Sequence, residues 1–134
     1  MGPGRVLRGG YSLKEKPPMP YLDVTVYTPT RRRSRRVRVK VDTGFSGSIL
    51  LGIRDYLELG LQLYELSEKP QALIAGGYRV DLRAAWGFVE FNGVVAQCII
   101  YTLPFARRSL IGRELLNRFR LTLDGRSGAV ELEV

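Results

Sequence analysis

Polar and apolar residues alternate along much of this chain with the period of a β-strand. Val37, Val39 and Val41 interleave with Arg36, Arg38 and Lys40, placing valines on one face of a strand and cations on the other. Residues 21–28 (Tyr-Leu-Asp-Val-Thr-Val-Tyr-Thr) are rich in β-branched and aromatic types and form a second expected strand. Pro29 and Thr30 open a turn between the two, so they should pair as a hairpin with residues 31–36 near its tip. Residues 86–91 and 94–101 flank Asn92-Gly93, the turn dipeptide best suited to a two-residue hairpin. Residues 72–74 and 78–82 flank Gly76-Gly77, and residues 119–123 and 129–134 flank Asp124-Gly125-Arg126-Ser127-Gly128; both read as further hairpins. Between them, Ser48-Ile49-Leu50-Leu51 is a short apolar segment. Helical signals are confined to residues 54–59, stopped by Gly60, and to one or two turns over 114–118. The pattern predicts a mainly β fold, a small closed or partly closed antiparallel barrel with one or two short helices. Residues 1–20, broken by Gly2, Pro3, Gly4, Gly9, Gly10, Pro17, Pro18 and Pro20, read as a flexible leader before a single domain over 21–134.

Composition removes several chemistries. The 134 residues contain no histidine and one cysteine, which excludes a Ser-His-Asp or Cys-His arrangement, the usual zinc ligand sets and an intrachain disulfide. Cys98 lies within Val94-Val95-Ala96-Gln97-Cys98-Ile99-Ile100 and reads as a packed strand residue. No apolar run reaches the roughly 20 residues of a membrane span, and the N-terminus lacks the apolar stretch of a signal peptide. A soluble cytoplasmic protein without metal or cofactor is expected. Acid–base chemistry then falls to carboxylates, Lys, Tyr or water. The net charge of +8 is concentrated in residues 31–36, Arg-Arg-Arg-Ser-Arg-Arg. That run fits a solvated hairpin turn, or a nucleic-acid patch lacking interleaved aromatics for base stacking.

One stretch concentrates chemistry. A valine strand delivers Asp42 into Asp42-Thr43-Gly44, followed by Phe45-Ser46-Gly47-Ser48. Gly44 lets the backbone turn tightly and brings an amide near the carboxylate, while the Thr43 hydroxyl can donate or accept. A bare Asp-Thr-Gly recurs by chance, but a second element, Ser109-Leu110-Ile111-Gly112-Arg113-Glu114-Leu115-Leu116, has the form of a strand and short helix packing behind the aspartate turn. Gly44-Phe45-Ser46-Gly47-Ser48 misses the Gly-x-Ser-x-Gly spacing of a serine hydrolase, and Gly76-Gly77 lacks the lysine and hydroxyl of a phosphate loop.

Over residues 21–134 the sequence resembles the retropepsin-like, single-domain retroviral-type aspartic proteases, a group with small prokaryotic members. The marks of that family fall on Val41-Asp42-Thr43-Gly44, on a flap hairpin around Gly76-Gly77, and on Leu110-Ile111-Gly112-Arg113. The resemblance implies an acid-protease barrel in which Asp42 from each of two subunits holds the attacking water. Thr43 would bond across the dimer axis and Gly44 would offer its amide to a carboxylate. Ala75, Gly76, Gly77 and Tyr78 of the flap, with Phe45 beside the aspartate, would contact substrate. Leu110, Ile111 and Gly112 would support the site, with Arg113 structural and in an ion pair. Phe45 replaces the alanine usual in retroviral members, and Glu114 replaces the usual Asp or Asn.

The mechanism needs two carboxylates about 3 Å apart sharing one proton, and the chain carries one Asp-Thr-Gly. A two-fold homodimer acting on a polypeptide substrate is therefore expected, with residues 129–134 in its interface. The alternative is a non-catalytic binding module on the same barrel, its basic face turned to nucleic acid or another polyanion. No membrane partner is expected.

Overall fold

The computed structural model describes residues 5–73 and 76–134. In chain order the elements are β1 (Val6–Ser12), β2 (Met19–Tyr27), β3 (Ser34–Val41), β4 (Ile49–Leu50), α1 (Ile53–Leu59), a 3-10 turn (Leu61–Tyr64), β5 (Gln71–Leu73) and β6 (Arg79–Asp81). Then follow β7 (Arg83–Phe91), β8 (Val94–Thr102), β9 (Ser109–Ile111), α2 (Arg113–Leu116), β10 (Arg120–Asp124) and β11 (Ala129–Glu133). Strands β2, β3, β9, β4, β8 and β7 hydrogen-bond in that order, and β7 returns to β2, closing a mixed barrel of 6 strands. The expected antiparallel pairings hold for β2–β3, β7–β8 and β10–β11. Two parallel pairings, β3–β9 and β4–β8, join segments distant in sequence and make the barrel mixed.

Alternation decides which side chains fill the barrel. Val37, Val39 and Val41 of β3 are buried beside Leu22, Val24 and Val26 of β2, while Arg36 and Arg38 face out. Ile49, Val89, Phe91, Ile100 and Ile111 complete the layer; each such side chain stabilises the fold by about 1.5–3 kcal/mol relative to exposure. Outward-facing partners fix the register: Arg38 pairs with Asp23 on the neighbouring strand at 2.9 Å and lies 3.9 Å from the Tyr21 ring centre. The β7–β8 turn uses Asn92 at φ 48° and Gly93 at φ 88°, the left-handed pair that matches strand twist. Helix α1 ends on Gly60 at φ 90°, as its position after Leu59 predicts.

The leader is the main departure. Val6–Ser12 forms β1, whose first half pairs with β11 and whose second half pairs with β2. Gly9 is the joint: a Cβ there would meet the Tyr21 carbonyl oxygen at 1.9 Å. A glycine that reads as a strand breaker is here the only residue that permits so close a crossing. Strand β11 is bonded on both edges, to β10 and β1, so the residues expected at an interface have no free backbone edge to offer. On that side the open edge belongs to β10.

Two residues of the arginine run are also tied down. The Arg33 guanidinium donates to the Glu58 carbonyl at 2.7 Å, and Arg35 pairs with Asp55 at 2.6 Å and Glu58 at 2.8 Å. Residues expected to be a free turn therefore grip α1, Arg33 at the carbonyl end where cations are favoured. Among the described residues no helix is long and apolar enough to cross a membrane.

The barrel closes where β7 meets β2, and Gly87 lies at that seam. A Cβ at position 87 would sit 2.7 Å from the Tyr27 carbonyl oxygen and 3.0 Å from Ile100. Gly87→Ala is expected to destabilise by about 1–3 kcal/mol through forced separation of packed groups, lowering Tm by about 5–10 °C. Thermal unfolding followed by circular dichroism checks this; an unchanged Tm would show that the seam yields freely.

Candidate active site

Strand β3 ends by handing Asp42 to a loop fixed by several backbone hydrogen bonds. The Asp42 amide donates to the Ile111 carbonyl at 3.0 Å, fixing the loop to the end of β9. Phe45 N–H donates back to the Asp42 carbonyl at 3.1 Å, and Gly44 N–H donates to the Asp42 carboxylate (Oδ1) at 2.9 Å. A Cβ at Gly44 would lie 3.2 Å from that same oxygen, so glycine lets the amide approach the carboxylate. Asp42 is half-buried, whereas Thr43 and Gly44 are exposed.

The loop is held from behind by the junction of β9 and α2. Gly112 N–H donates to the Ser48 carbonyl at 2.8 Å, Arg113 N–H to Phe45 at 2.9 Å and Glu114 N–H to Gly47 at 3.3 Å. These bonds require backbone against backbone. A Cβ on Gly112 would fall 2.3 Å from the Gly47 oxygen and 2.6 Å from the Phe45 oxygen. Ser48, fully buried, donates its hydroxyl to the Ile99 carbonyl, and Ser109 accepts from Gly52 N–H at 2.9 Å. No buried side-chain polar atom among the described residues is left unpaired.

Beside the loop lies a cleft of about 360 Å³, lined by Gly44, Phe45, Gln71, Leu82, Tyr101 and Arg113 among others. The Phe45 ring meets Tyr101 edge to face, centroids 6.2 Å apart, giving the cleft an apolar wall. Burial raises the Tyr101 phenol above its usual range, with Glu114 adding to the effect. The β5–β6 hairpin, a separate two-stranded sheet, lends Gln71 and Ala72 to the lining. Its base is anchored by the Leu82 amide on the Pro70 carbonyl at 2.8 Å and by the packing of Leu82 with Leu103 and Ala106.

No protein-family model matches the sequence, and no curated protein matches it either. Solved structures do match. A retropepsin-like aspartic protease from Rickettsia conorii superposes with TM-score 0.68 at 18% identity, covering 98% of this chain and 96% of that one. EIAV protease, complexed with the inhibitor HBY-793, superposes with TM-score 0.50 at 21% identity, covering 81% of this chain and 91% of that one. This chain has the retropepsin-like fold. The first alignment extends over β1, so the strand that replaces the expected leader falls within the shared architecture.

Within that fold the candidate residues separate into groups. Asp42, Thr43, Gly44 and Phe45 share one loop, and Leu110, Ile111, Gly112 and Arg113 form the strand and helix start bonded to it. Gly76 and Gly77, at φ 91° and 81°, turn the hairpin tip, and Tyr78 beside them is 71% exposed. Ala75 lies outside the described residues. The ion pair implied for Arg113 is not found among the described residues: its side chain is exposed at the cleft, and Glu114 instead pairs with Arg118 at 2.7 Å. Tyr101, Leu82 and Gln71 line the cleft without having been singled out by sequence, because they come from three separate segments that only the fold brings together. Cys98 is buried, and burial pushes its thiol up to about 12, leaving it no reactive thiolate near neutrality. Asp124 accepts the Ser127 and Arg126 amides in the β10–β11 turn, which holds its carboxyl below the usual range. It serves the turn.

Gly112→Ala should separate the aspartate loop from the β9–α2 junction. A loss of about 2–4 kcal/mol in urea unfolding is expected, from overpacking plus weakened buried hydrogen bonds. Gly125→Ala, whose Cβ would meet nothing nearer than 3.7 Å, is the control expected to change stability little.

Proposed function

We propose that the chain is one half of an aspartic endopeptidase, completed when a second copy brings its own Asp42 to a two-fold axis. The observation that carries this reading is the Asp42 carboxylate held at 2.9 Å by the amide of Gly44, a residue that itself lines the cleft. It sits on a fold shared with a retropepsin-like aspartic protease. One chain holds one Asp-Thr-Gly, and Thr43 is exposed beside the carboxylate, available to bond across such an axis.

In this mechanism a water lies between the two Asp42 carboxyls, which share one proton. The unprotonated partner takes a proton from the water as its oxygen attacks the scissile carbonyl carbon. The protonated partner donates to the carbonyl oxygen, giving a neutral tetrahedral diol. Transfer of a proton to the amide nitrogen then breaks the C–N bond and releases two chains. Phe45 and Tyr101 offer an apolar wall to a substrate side chain. The β5–β6 hairpin, turned by Gly76 and Gly77, closes over the substrate backbone and excludes water.

Asp42→Asn keeps the size of the side chain and removes its acid–base function. Cleavage of an unfolded polypeptide should fall roughly 10³-fold or more while the circular dichroism spectrum stays the same. Specific activity should also increase with chain concentration as dimers form. Full activity in Asp42→Asn would overturn the protease reading; constant specific activity from a sedimentation-verified monomer would overturn the dimer.

A further inference from the structure

A second concavity, of about 370 Å³, opens on the outer face of the barrel, where β2, β3 and β9 meet the segment before β9. Arg35, Arg36, Arg38, Lys40, Arg107 and Arg108 line it. Two of these cations are committed elsewhere, Arg35 to Asp55 and Glu58, and Arg38 to Asp23. Lys40 and Arg108 converge on one group, the carboxylate of Glu15 in the β1–β2 connection. Arg36 and Arg107 are exposed and form no ion pair among the described residues. The groove thus already holds one peptide-borne carboxylate and keeps two further cations free.

The geometry points to a docking groove for an acidic segment of another polypeptide, whose carboxylate takes the place of Glu15 between Lys40 and Arg108. Arg36 and Arg107 then meet the neighbouring acidic residues. The groove places both cations on one carboxylate oxygen, Oε1 of Glu15, a charge-assisted contact that another acidic side chain can make. Nucleic acid fits it less well, because the Tyr21 ring is covered by Arg38 at 3.9 Å and offers no clear face for a base to stack on. The same face of a second copy carries the same cations and is repelled from this groove. The inference concerns binding and stands apart from the catalytic reading.

Fluorescence anisotropy with a labelled oligo-glutamate peptide tests it on the full chain. Glu15→Gln removes the competing charge and should tighten binding about tenfold, whereas Arg36→Gln with Arg107→Gln should weaken it about tenfold. Raised salt should weaken the wild-type complex. Nuclear magnetic resonance of the wild-type chain, titrated with the same peptide, should shift the signals of Glu15, Lys40 and Arg108 together. This readout serves even if Glu15→Gln fails to fold. Unchanged affinity in a folded Glu15→Gln chain, shifts that spare those residues, or tighter binding of single-stranded DNA at equal charge would each overturn the proposal.

Discussion

Position 112 sets how closely the two halves of the site approach. Three consecutive amides, of Gly112, Arg113 and Glu114, donate to Ser48, Phe45 and Gly47, and such bonds need the two backbones in direct contact. Any side chain at 112 would occupy the space of the Gly47 and Phe45 oxygens. The aspartate loop therefore has no rigid support unless that residue is glycine. The same contact lets Ile111 receive the Asp42 amide and pairs β3 with β9 in parallel. The barrel's most distant strand pairing and the orientation of its one candidate carboxylate follow from a missing methyl group.

How much of this was legible depends on how far apart the interacting residues lie in sequence. Val37, Val39 and Val41 announce β3 because strand period is local, and Asn92-Gly93 announces its hairpin because turn chemistry is local. Strands β4 and β9 span two and three residues, too short for any period, and their parallel partners are chosen by tertiary fit. Val6–Ser12 was hidden by Gly9 and Gly10, which read as breakers until Tyr21 is seen lying against them. The site divides the same way. Asp42-Thr43-Gly44 and Leu110-Ile111-Gly112-Arg113 are contiguous and carry recognisable residue types. The cleft walls, Tyr101, Leu82 and Gln71, come from separate segments and carry no sign of a shared surface.

Charge needs a similar correction. A chain at +8 invites the reading of a free polybasic turn, yet Arg33 and Arg35 fasten α1 to the β2–β3 hairpin, and Arg31 lies 5.4 Å from the Tyr27 and Phe88 ring centres. Such half-exposed pairs contribute only about 0–1 kcal/mol each, and the arginine stems add packing against neighbouring side chains. Of the run, Arg32 and Arg36 stay exposed without an ion pair among the described residues, and Arg36 shares the groove with Arg107. Sequence density of charge and spatial density of available charge are different quantities here.

The aspartate loop itself argues for assembly on physical grounds. Within one chain the Asp42 carboxylate has the Gly44 amide as its hydrogen-bond partner, and the loop tip at Thr43 and Gly44 stands exposed. A water held by a single carboxylate on an open surface has no second acid to protonate the substrate carbonyl. Bulk water also competes for every bond it makes. Bringing two such loops together across an axis would supply the acid and bury Thr43, and it would lower the local dielectric so that each hydrogen bond to the developing charge strengthens. Closure of the β5–β6 hairpin from each subunit would remove the remaining solvent. The rigid support behind the loop then has a clear purpose under the proposed reading. Two carboxyls must meet within a fraction of an ångström, and a loop free to move would spend the association energy on its own ordering.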